Sequence, residues 1–450
     1  MSRSTQRTEV IESFINGDYR HDEIREKVGT PIGYLEEDAF DGIETASSQP
    51  SDVFDELEEI ADVYRENRER YAETLCEETA YPLSDCFDRI DSIPRYLDGV
   101  REYHDHVREE TGAVDDYNAT TDHERRVVTV PRPIGHVLMV TPRNATILAP
   151  VNTASALVAG NTVTVRPSTR TPASAAALLE PFLERFPERV NVVFTEPEII
   201  YEPSVLSRFD LLHYEGSSNY YPEIKESAAA AGIESNVEGE GNGVFIVDHE
   251  PERAARTFVR ALVRCNGQLC STPSGLLVNE AIAEEFETTL ENELRAVTVG
   301  DPREEATDVD ENAEVHAPEA EPFVDLGDSP VRILTFEEGL ETVELFGPGA
   351  WYDTWESLEE VRTFLGAREH GLSMTIFSDE PEQYLRESKA LTSRVCFNLD
   401  PTIISHFSPW GALKRSGESP VTTRIEKFTQ HVTVVDHPES ETDHDALSIY

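Results

Sequence analysis

Apolar residues recur at helical spacing in the first quarter of the chain and change to strand spacing after it. Within residues 51–112, the stretch DVFDELEEIADVYRENRERYAETL returns to an apolar position every three or four residues, which predicts several acidic helices. Residues 124–141, ERRVVTVPRPIGHVLMVT, are rich in valine and are interrupted by Pro131 and Pro133. This pattern predicts two strands with a bend between them.

From residue 147 onwards, predicted helices and strands alternate. The predicted elements are helices at 147–159, 172–185 and 251–264, and strands at 162–165, 190–194, 244–247 and 431–436. Strands that alternate with helices predict a doubly wound α/β fold with a parallel sheet. The acidic stretch 301–322 is predicted to be a surface loop, and the polar end of the chain a loose tail.

The charge of the chain is strongly negative and is spread over its whole length. Asp and Glu total 88 against 38 Lys and Arg, which gives a formal net charge of -50. Such a surface repels itself at ordinary ionic strength, whereas molar salt shortens the Debye length to ~3 Å and screens the repulsion. The composition is similar to that of haloarchaeal proteins and indicates a salt-loaded cytoplasm. The even spread disfavours an acidic patch for a basic partner, and the lack of a basic stripe disfavours nucleic acid.

The cysteines and the start of the chain indicate a soluble, cytoplasmic protein. The five cysteines are an odd, scattered set without the CxxC spacing of a zinc site, so neither a disulfide framework nor a metal is expected. The first residues lack the apolar segment of a signal peptide. No run of 18 apolar residues predicts a membrane span.

The segment RCNGQLCSTPSGLLV, residues 264–278, contains the most informative cysteine. Cys270 follows Gly267 and Gln268 in a loop between a predicted helix and an apolar strand, where a thiol can be partly exposed, as a nucleophile requires. A lone cysteine is more often a small buried hydrophobe, so both interpretations stay open on these residues alone. Cys265, on the preceding predicted helix, is expected in the core.

Two further segments place polar residues beside predicted strands. In SNVEGEGNGVFIVD, residues 235–248, Glu238 and Glu240 lie in a glycine-rich turn, where a glutamate could serve as a general base or simply face solvent. Asn144 follows a strand and precedes a helix, so its amide could donate to an oxyanion. Arg166 ends a strand at the carboxyl edge of the sheet, where open α/β sheets bind ligands.

In their order along the chain, these segments resemble the aldehyde dehydrogenase superfamily over about residues 124–436. VGDP at 299–302 and ELFGP at 344–348 match family motifs without substitution, and NGQLC resembles the nucleophile loop. The other matching segments are TPRNA at 141–145, AGNTVTVRPSTRTP, YEGSSN at 214–219, VEGEGNG and SPWGALKRSG at 408–417. The 32-residue step from Glu238 to Cys270 strengthens the resemblance.

The resemblance implies an aldehyde dehydrogenase-like α/β fold with a Rossmann-type cofactor domain, an αβα catalytic domain and a small β oligomerisation element. We expect residues 1–119 and 135–237 to form the NAD(P)-binding domain and residues 238–404 the catalytic domain. Residues 120–134 and 405–450 are expected to form the oligomerisation element and tail. Such elements usually make the family dimeric or tetrameric, so a homodimer or homotetramer is expected.

The family chemistry, carried over to matching positions, is NAD(P)-dependent oxidation of an aldehyde to a carboxylic acid. Cys270 would attack the aldehyde, Asn144 would stabilise the thiohemiacetal oxyanion, and Glu238 would activate the water that hydrolyses the thioester. The expected cofactor contacts are Thr141, Pro142, Arg143, Arg166, Ser168, Thr169, Gly216, Ser217, Glu344 and Phe346. Thr169 stands where the family often has a ribose-binding glutamate, so NADP is an alternative to NAD.

Two departures from the family pattern keep alternatives open. Tyr221 stands in the cofactor turn where the family often has a third glycine, which affects how a pyrophosphate sits at the helix N-terminus. A catalytically inactive structural relative is therefore one alternative. GEGNG also resembles the CoA-acylating branch, which usually lacks the general-base glutamate, so Glu238 favours hydrolysis over transfer to CoA. The fold alone does not identify the aldehyde.

Overall fold

The computed structural model describes residues 10–27, 29–43, 53–110, 114–118, 123–386, 392–403 and 405–436. The α-helices are α1 (Phe54–Glu66), α2 (Arg68–Thr79), α3 (Leu83–Glu110), α4 (Leu148–Val158), α5 (Pro172–Arg185), α6 (Pro197–Ile200), α7 (Pro203–Leu206), α8 (Tyr221–Ala231), α9 (Pro251–Val263), α10 (Ala283–Ala296) and α11 (Leu358–Ala367). Within these described ranges, no helix combines the length and the apolar character that crossing a bilayer requires.

The strands are β1 (Ser13–Ile15), β2 (Asp18–Arg20), β3 (Glu23–Lys27), β4 (Thr30–Tyr34), β5 (Val114–Asn118), β6 (His123–Pro133), β7 (His136–Val140), β8 (Thr162–Arg166), β9 (Val190–Val192), β10 (Leu211–Glu215), β11 (Glu234–Glu238), β12 (Gly243–Val247), β13 (Pro273–Asn279), β14 (Val299–Gly300), β15 (Val309–Asp310), β16 (Arg332–Thr335), β17 (Gly349–Trp355), β18 (His370–Gly371), β19 (Ser373–Phe377), β20 (Arg394–Phe397), β21 (Trp410–Lys414), β22 (Gly417–Thr422) and β23 (Thr429–Asp436).

The larger sheet is built around five parallel strands in the order β9-β8-β7-β10-β11. The chain moves outward from β7 to β9 in one direction and from β10 to β11 in the other, which is the doubly wound Rossmann order. Apolar residues of α1 to α5 pack on one face, and those of α6 to α8 pack on the other. The point between β7 and β10 is therefore the topological switch point, where such sheets bind ligands.

The second sheet has six parallel strands in the order β16-β17-β13-β12-β19-β20. Helices α9 and α10 cover one face through residues such as Phe258 and Phe286, and α11 covers the other through Val361 and Leu365. Every residue of β12 is buried, as expected for a parallel strand between two helical layers. The predicted α/β fold class is confirmed, with an αβα catalytic layer beside the Rossmann-type sheet.

A third, antiparallel sheet joins two distant parts of the chain, in the order β23-β6-β5. From the sequence, residues 405–450 are predicted to belong to this small element and the tail. Among the described residues of that range, 405–436, β23 alone pairs with β6, while β21 and β22 extend the larger sheet beside β11. Residues 437–450 of the expected tail, and residues 1–9 and 119–122, lie outside the described residues.

Candidate active site

The loop that precedes Cys270 begins with three successive residues in the left-handed backbone region. Cys265, Asn266 and Gly267 have φ of +51°, +53° and +66°. A left-handed conformation costs a non-glycine residue roughly 1–2 kcal/mol, so the first two positions need support from elsewhere in the fold. This turn ends the path of α9 and redirects the chain toward the cavity that Cys270 lines.

Side chains from distant segments hold this turn in place. The Asn266 amide donates to the Ala80 carbonyl at 2.8 Å, and its carbonyl accepts from the Asp310 N–H at 3.0 Å. The Asp85 carboxylate accepts from the Cys265 N–H at 2.7 Å. The strained conformation is therefore fixed by α3, by the link between α2 and α3 and by the end of β15, not by local preference.

Cys270 is half-buried and packs against Leu372 and Trp410. Burial and the nearby carboxylate of Glu344 raise the pKa of the Cys270 thiol to about 12, although the guanidinium of Arg394 opposes this rise. The sulfur is therefore a thiol at neutral pH. A nucleophilic step requires a partner that takes its proton or stabilises the thiolate.

Cys270 lines a cavity of about 1560 Å³ at the switch point of the larger sheet. The segments after β7 and β10 form one wall, and Asn144 and Glu238 also line this cavity. These two residues and Cys270 come from three distant stretches of sequence. The fold therefore brings the three residues with predicted chemical roles to a single space.

Asn144 lies in a short 3-10 turn after β7. Its side-chain Nδ2 donates to the carbonyl oxygen of Gln268 at 2.8 Å, two residues before Cys270. A primary amide carries two hydrogens, so one remains for a second acceptor in the cavity. The Tyr81 hydroxyl donates to the Asn144 carbonyl at 3.1 Å and fixes the backbone of the turn.

Glu238 ends β11 with a carboxylate that is buried and fully engaged. The Trp410 indole donates to Oε2 at 2.7 Å, the Ser419 hydroxyl donates to Oε1 at 2.8 Å, and the Lys427 ammonium forms an ion pair with Oε1. Burial by itself would raise the pKa of Glu238, but the charges of Lys427 and His213, with the hydrogen bonds from Lys427 and Ser419, lower it to about 2. Glu238 is therefore an anion over the whole physiological range.

Glu344 approaches Cys270 from the side of the six-stranded sheet. Its Oε1 accepts from the Gly241 N–H at 2.7 Å, and the Asn242 N–H also lowers its pKa. Burial is the larger effect and raises the pKa of Glu344 to about 7, with a further rise from Glu240. Two residues on, the Phe346 ring faces the cavity, with the Arg143 guanidinium 5.5 Å from its centroid.

Nine of the ten residues expected to contact a cofactor line this cavity. They are Thr141, Pro142, Arg143, Arg166, Ser168, Gly216, Ser217, Glu344 and Phe346. The Arg166 guanidinium donates to the Thr195 carbonyl at 3.0 Å, so part of its donor capacity is already used. Thr169 lies outside the lining and interacts with the Tyr34 hydroxyl.

The turn after β10 is occupied by serine and tyrosine side chains. The Ser217 hydroxyl donates to Glu240 at 3.1 Å, and Tyr220 lines the cavity. Tyr221, the residue in the place of a third glycine, lies outside the lining and contacts Lys225 and Glu418 instead. Its side chain therefore does not fill the space next to Gly216.

Several residues of the site are not predicted from the sequence. Lys427, Ser419 and Trp410 surround Glu238, and a second buried chain of hydrogen bonds joins Arg424 through Asn152 to Glu215. One signal was available, because Lys427 is one of only five lysines in the chain and lies shortly before the strand predicted at 431–436. Among the described residues, no group of three or more His, Cys, Asp and Glu is arranged to hold a metal ion.

The family model that matches this chain and the known proteins similar to it are those of aldehyde dehydrogenases. The sequence model of the aldehyde dehydrogenase family matches residues 37–320. A Staphylococcus haemolyticus protein named as an aldehyde dehydrogenase is 25% identical over 397 residues, which cover 80% of each chain.

Solved structures share the fold over nearly the full length. The NAD-dependent aldehyde dehydrogenase of Sinorhizobium meliloti superposes with a TM-score of 0.81 at 19% identity, covering 98% of both chains. The betaine aldehyde dehydrogenase of Staphylococcus aureus, solved with NAD+, superposes with a TM-score of 0.78 at 20% identity, covering 96% of both. From the match over residues 37–320 and the cavity described above, this chain belongs to the aldehyde dehydrogenase family.

Proposed function

We propose that this protein oxidises an aldehyde to a carboxylic acid, with Cys270 as the nucleophile and NAD or NADP as the hydride acceptor. The observation that carries the proposal is the convergence of Cys270, Asn144 and Glu238 on one cavity at the switch point. A thiol, an amide donor and a carboxylate are the groups that acyl chemistry through a thioester needs.

The cavity fits a dinucleotide. Its volume exceeds the roughly 300–1,000 Å³ of a drug-sized ligand site, so it has room for two ligands. The Thr141 hydroxyl oxygen, after β7, is buried and has no hydrogen-bond partner among the described residues, and Gly216 opens the wall after β10. Arg166, Ser168, Glu344 and the other lining residues expected from the sequence would hold the cofactor. A bound nicotinamide dinucleotide supplies the acceptor for the hydride that leaves the substrate.

Both nicotinamide cofactors suit the charges at this edge of the cavity. Arg170 is exposed at the lining and would face a 2′-phosphate, while Glu198 and Glu202 could accept hydrogen bonds from ribose hydroxyls. A comparison of KM for NADP and NAD in the wild type and in Arg170→Gln tests the role of Arg170. We expect only the KM for NADP to rise. An unchanged ratio would remove Arg170 from the cofactor site.

The Cys270 thiol first gives its proton to water in the cavity. The sulfur then forms a bond to the aldehyde carbon, and the carbonyl electron pair moves to oxygen. The free N–H of the Asn144 amide donates to that oxyanion. Loss of a hydride from the same carbon leaves a thioester on Cys270. Water then attacks the thioester carbon, its proton passes to Glu238, and the C–S bond breaks to release the acid and the thiolate.

The ion pair with Lys427 limits Glu238 in the arrangement seen here. A carboxylate with a pKa of about 2 is a weak base, because the adjacent ammonium and the Ser419 hydroxyl stabilise its charge. Exchange of Lys427 for the attacking water would raise the basicity of Glu238. We therefore interpret the ion pair as the resting state of the carboxylate.

Homo-oligomerisation in a salt-loaded cytoplasm is part of the proposal. Strand β23 lies at the edge of the antiparallel sheet and exposes Val432 and Val435, which are 47% and 57% accessible. An exposed apolar edge strand is suited to pair with a second copy of the chain. Size-exclusion chromatography with light scattering in molar KCl tests this: we expect a dimer or tetramer, and a monomer would contradict it.

The decisive assay incubates the enzyme with a panel of aldehydes and NAD or NADP in molar KCl, with and without CoA. We expect oxidation without CoA, and a mass increase on Cys270 when the reaction is quenched early. Cys270→Ser should abolish both. A strict requirement for CoA would favour the acylating alternative, and a wild type as inert as Cys270→Ser would favour a structural relative.

A further inference from the structure

The cavity differs in charge from the rest of the molecule. The chain has more than twice as many acidic as basic residues, 88 against 38. Its cavity, in contrast, is lined by eight arginines and eight carboxylates. Positive charge is therefore concentrated where ligands bind, and the cofactor contacts account for only part of it.

Two of these arginines lie on α3 and are not among the predicted cofactor contacts. Arg89, Ser92 and Arg95 line the cavity at the three-residue spacing that places them on one helix face. His406, from the segment before β21, also lines it and makes a 3.0 Å hydrogen bond between its Nε2 and the Ser92 hydroxyl. Arg424 donates to the His406 carbonyl at 3.1 Å, which completes a basic cluster of these five residues.

The members of the basic cluster act on one another electrostatically. Burial lowers the pKa of His406 well below its usual value, and the positive charges of Arg424, Arg89 and Arg95 lower it further. The His406 imidazole is therefore neutral at physiological pH. Three guanidinium groups close enough to act on one ring create a strong local positive potential.

The arginines of the basic cluster have no carboxylate partner within ion-pairing distance among the described residues. Arg89 interacts with the Cys265 sulfur, and Arg95 and Arg424 donate to backbone or amide oxygens. His406 Nδ1 is buried and has no hydrogen-bond partner in the described part of the chain. The nearest acid in sequence, Asp88, is committed to Arg264 at 2.6 Å. In so acidic a protein, three unpaired guanidinium groups at a cavity wall indicate a site for an external anion.

The basic cluster adjoins the candidate reaction centre. The Arg89 charge acts on the Tyr81 hydroxyl, which in turn donates to the Asn144 carbonyl. Cys265, which Arg89 contacts, begins the left-handed turn that leads to Cys270. A substrate with its aldehyde carbon at the Cys270 sulfur would extend toward α3.

We infer that the substrate is an aldehyde that carries a carboxylate at its far end, held mainly by Arg89 with support from Arg95 and Arg424. The planar guanidinium of Arg89 offers two parallel N–H donors, which match the two oxygens of a carboxylate. This inference rests on the proposed aldehyde oxidation for the position of the carbonyl group, but the anion site stands on the basic cluster alone.

The test compares aldehydes of equal length with and without a terminal carboxylate: 4-oxobutanoate against butanal, and 5-oxopentanoate against pentanal. We expect wild-type kcat/KM to favour the carboxylated member of at least one pair by tenfold or more. Arg89→Gln should lower kcat/KM for that acid about 10- to 100-fold, because a charged hydrogen bond is lost, and should change the neutral aldehyde less than about threefold. Arg89→Lys should recover part of the loss. Arg101→Gln, on the same helix but paired with Asp55 outside the cavity, is the matched control and should behave as wild type.

Binding of succinate and glutarate, measured by calorimetry, separates this inference from the proposed function. We expect one of them to bind wild type and Arg101→Gln, and to bind Arg89→Gln at least tenfold more weakly. That result in an enzyme that oxidises nothing would uphold the anion site and reject the oxidation. Equal use of acid and neutral aldehydes without dicarboxylate binding would overturn the anion site and leave the oxidation intact. An equal fall for both aldehydes in Arg89→Gln would also overturn it, because Arg89 would then be structural.

Discussion

Two walls of the same cavity each place a glutamate near Cys270. The surroundings of the two glutamates shift their pKa values in opposite directions. On the wall of the larger sheet, Glu238 meets an ammonium, a hydroxyl and an indole N–H, and its pKa falls to about 2. On the wall of the six-stranded sheet, Glu344 accepts from the backbone N–H groups of Gly241 and Asn242, and its pKa rises to about 7. Desolvation raises the pKa of both carboxylates, so the difference shows that a full positive charge is needed to offset it.

The largest change in stability is expected from Glu238→Gln, because this substitution leaves the buried Lys427 ammonium without a counterion. The free energy of unfolding should fall by about 3–5 kcal/mol, as for other buried pairs that lose one partner. Chemical denaturation at pH 8 in molar KCl measures it. The double variant Glu238→Gln with Lys427→Met should recover part of the loss, and no recovery would mean that Lys427 is not the cause.

A Glu→Gln substitution on the opposite wall should stabilise the fold instead of destabilising it. Glu344→Gln should raise the free energy of unfolding at pH 8 by about 2–3 kcal/mol, because it removes a charge that burial disfavours.

The sign follows from the raised pKa of Glu344. Between pH 4.5, its ordinary value, and about pH 7, the folded state retains a proton that the unfolded state has lost. Rising pH therefore destabilises the wild type across this window. The gain from Glu344→Gln should vanish below pH 4.5, and a gain independent of pH would contradict the assignment. Glu238 behaves oppositely, since its stabilising charge is present above pH 4.5 and is lost as pH falls toward 2.

The reactivity of the Cys270 thiol depends on the glutamates of both walls, because both raise its pKa. Glu344 is the strongest charge that raises the Cys270 pKa, ahead of Glu238. Alkylation by iodoacetamide at pH 8 should therefore quicken by about three- to tenfold in Glu344→Gln, because a larger fraction of Cys270 is thiolate. Peptide mass spectrometry identifies the modified residue, and Cys270→Ser is the blank. A slower rate in Glu344→Gln would reverse our interpretation of this wall.

The smallest effect is expected at Glu240, the second candidate base in the glycine-rich turn. It accepts from Ser217 at the cavity surface, and His370 is the main cause of its lowered pKa. Glu240→Gln should change the free energy of unfolding by no more than about 0.5 kcal/mol and the aldehyde oxidation rate by less than about twofold. A loss of hydrolysis as large as that in Glu238→Gln would transfer the base role to Glu240.

Local patterns sufficed to predict much of the fold. Helix α5 spans Pro172–Arg185, the predicted residues, because its apolar spacing is regular and a proline opens it. The hairpins β1-β2 and β3-β4 were not predicted, since their strands are only three to five residues long. Motif order placed Cys270, Asn144 and Glu238 in one site.

The partners of those residues could not be predicted from the sequence. Lys427 lies 189 positions from Glu238, and their contact exists only because β22 adds to β11 in antiparallel register. Residues 410–422 gave no sign of joining the larger sheet, because a strand's neighbour is decided by the whole topology. The protonation of a buried carboxylate depends on such distant contacts, so sequence alone does not set it.

The left-handed turn at residues 265–267 has a consequence for assembly. Its supports are Asp85, the Ala80 carbonyl and the backbone of residue 310, which are all far away along the chain. An incompletely folded chain therefore exposes Cys270 as an ordinary flexible thiol, and the sulfur gains its particular surroundings only when the segments on either side have docked. The reactivity of this one atom is thus a measure of whether maturation of the whole molecule is finished.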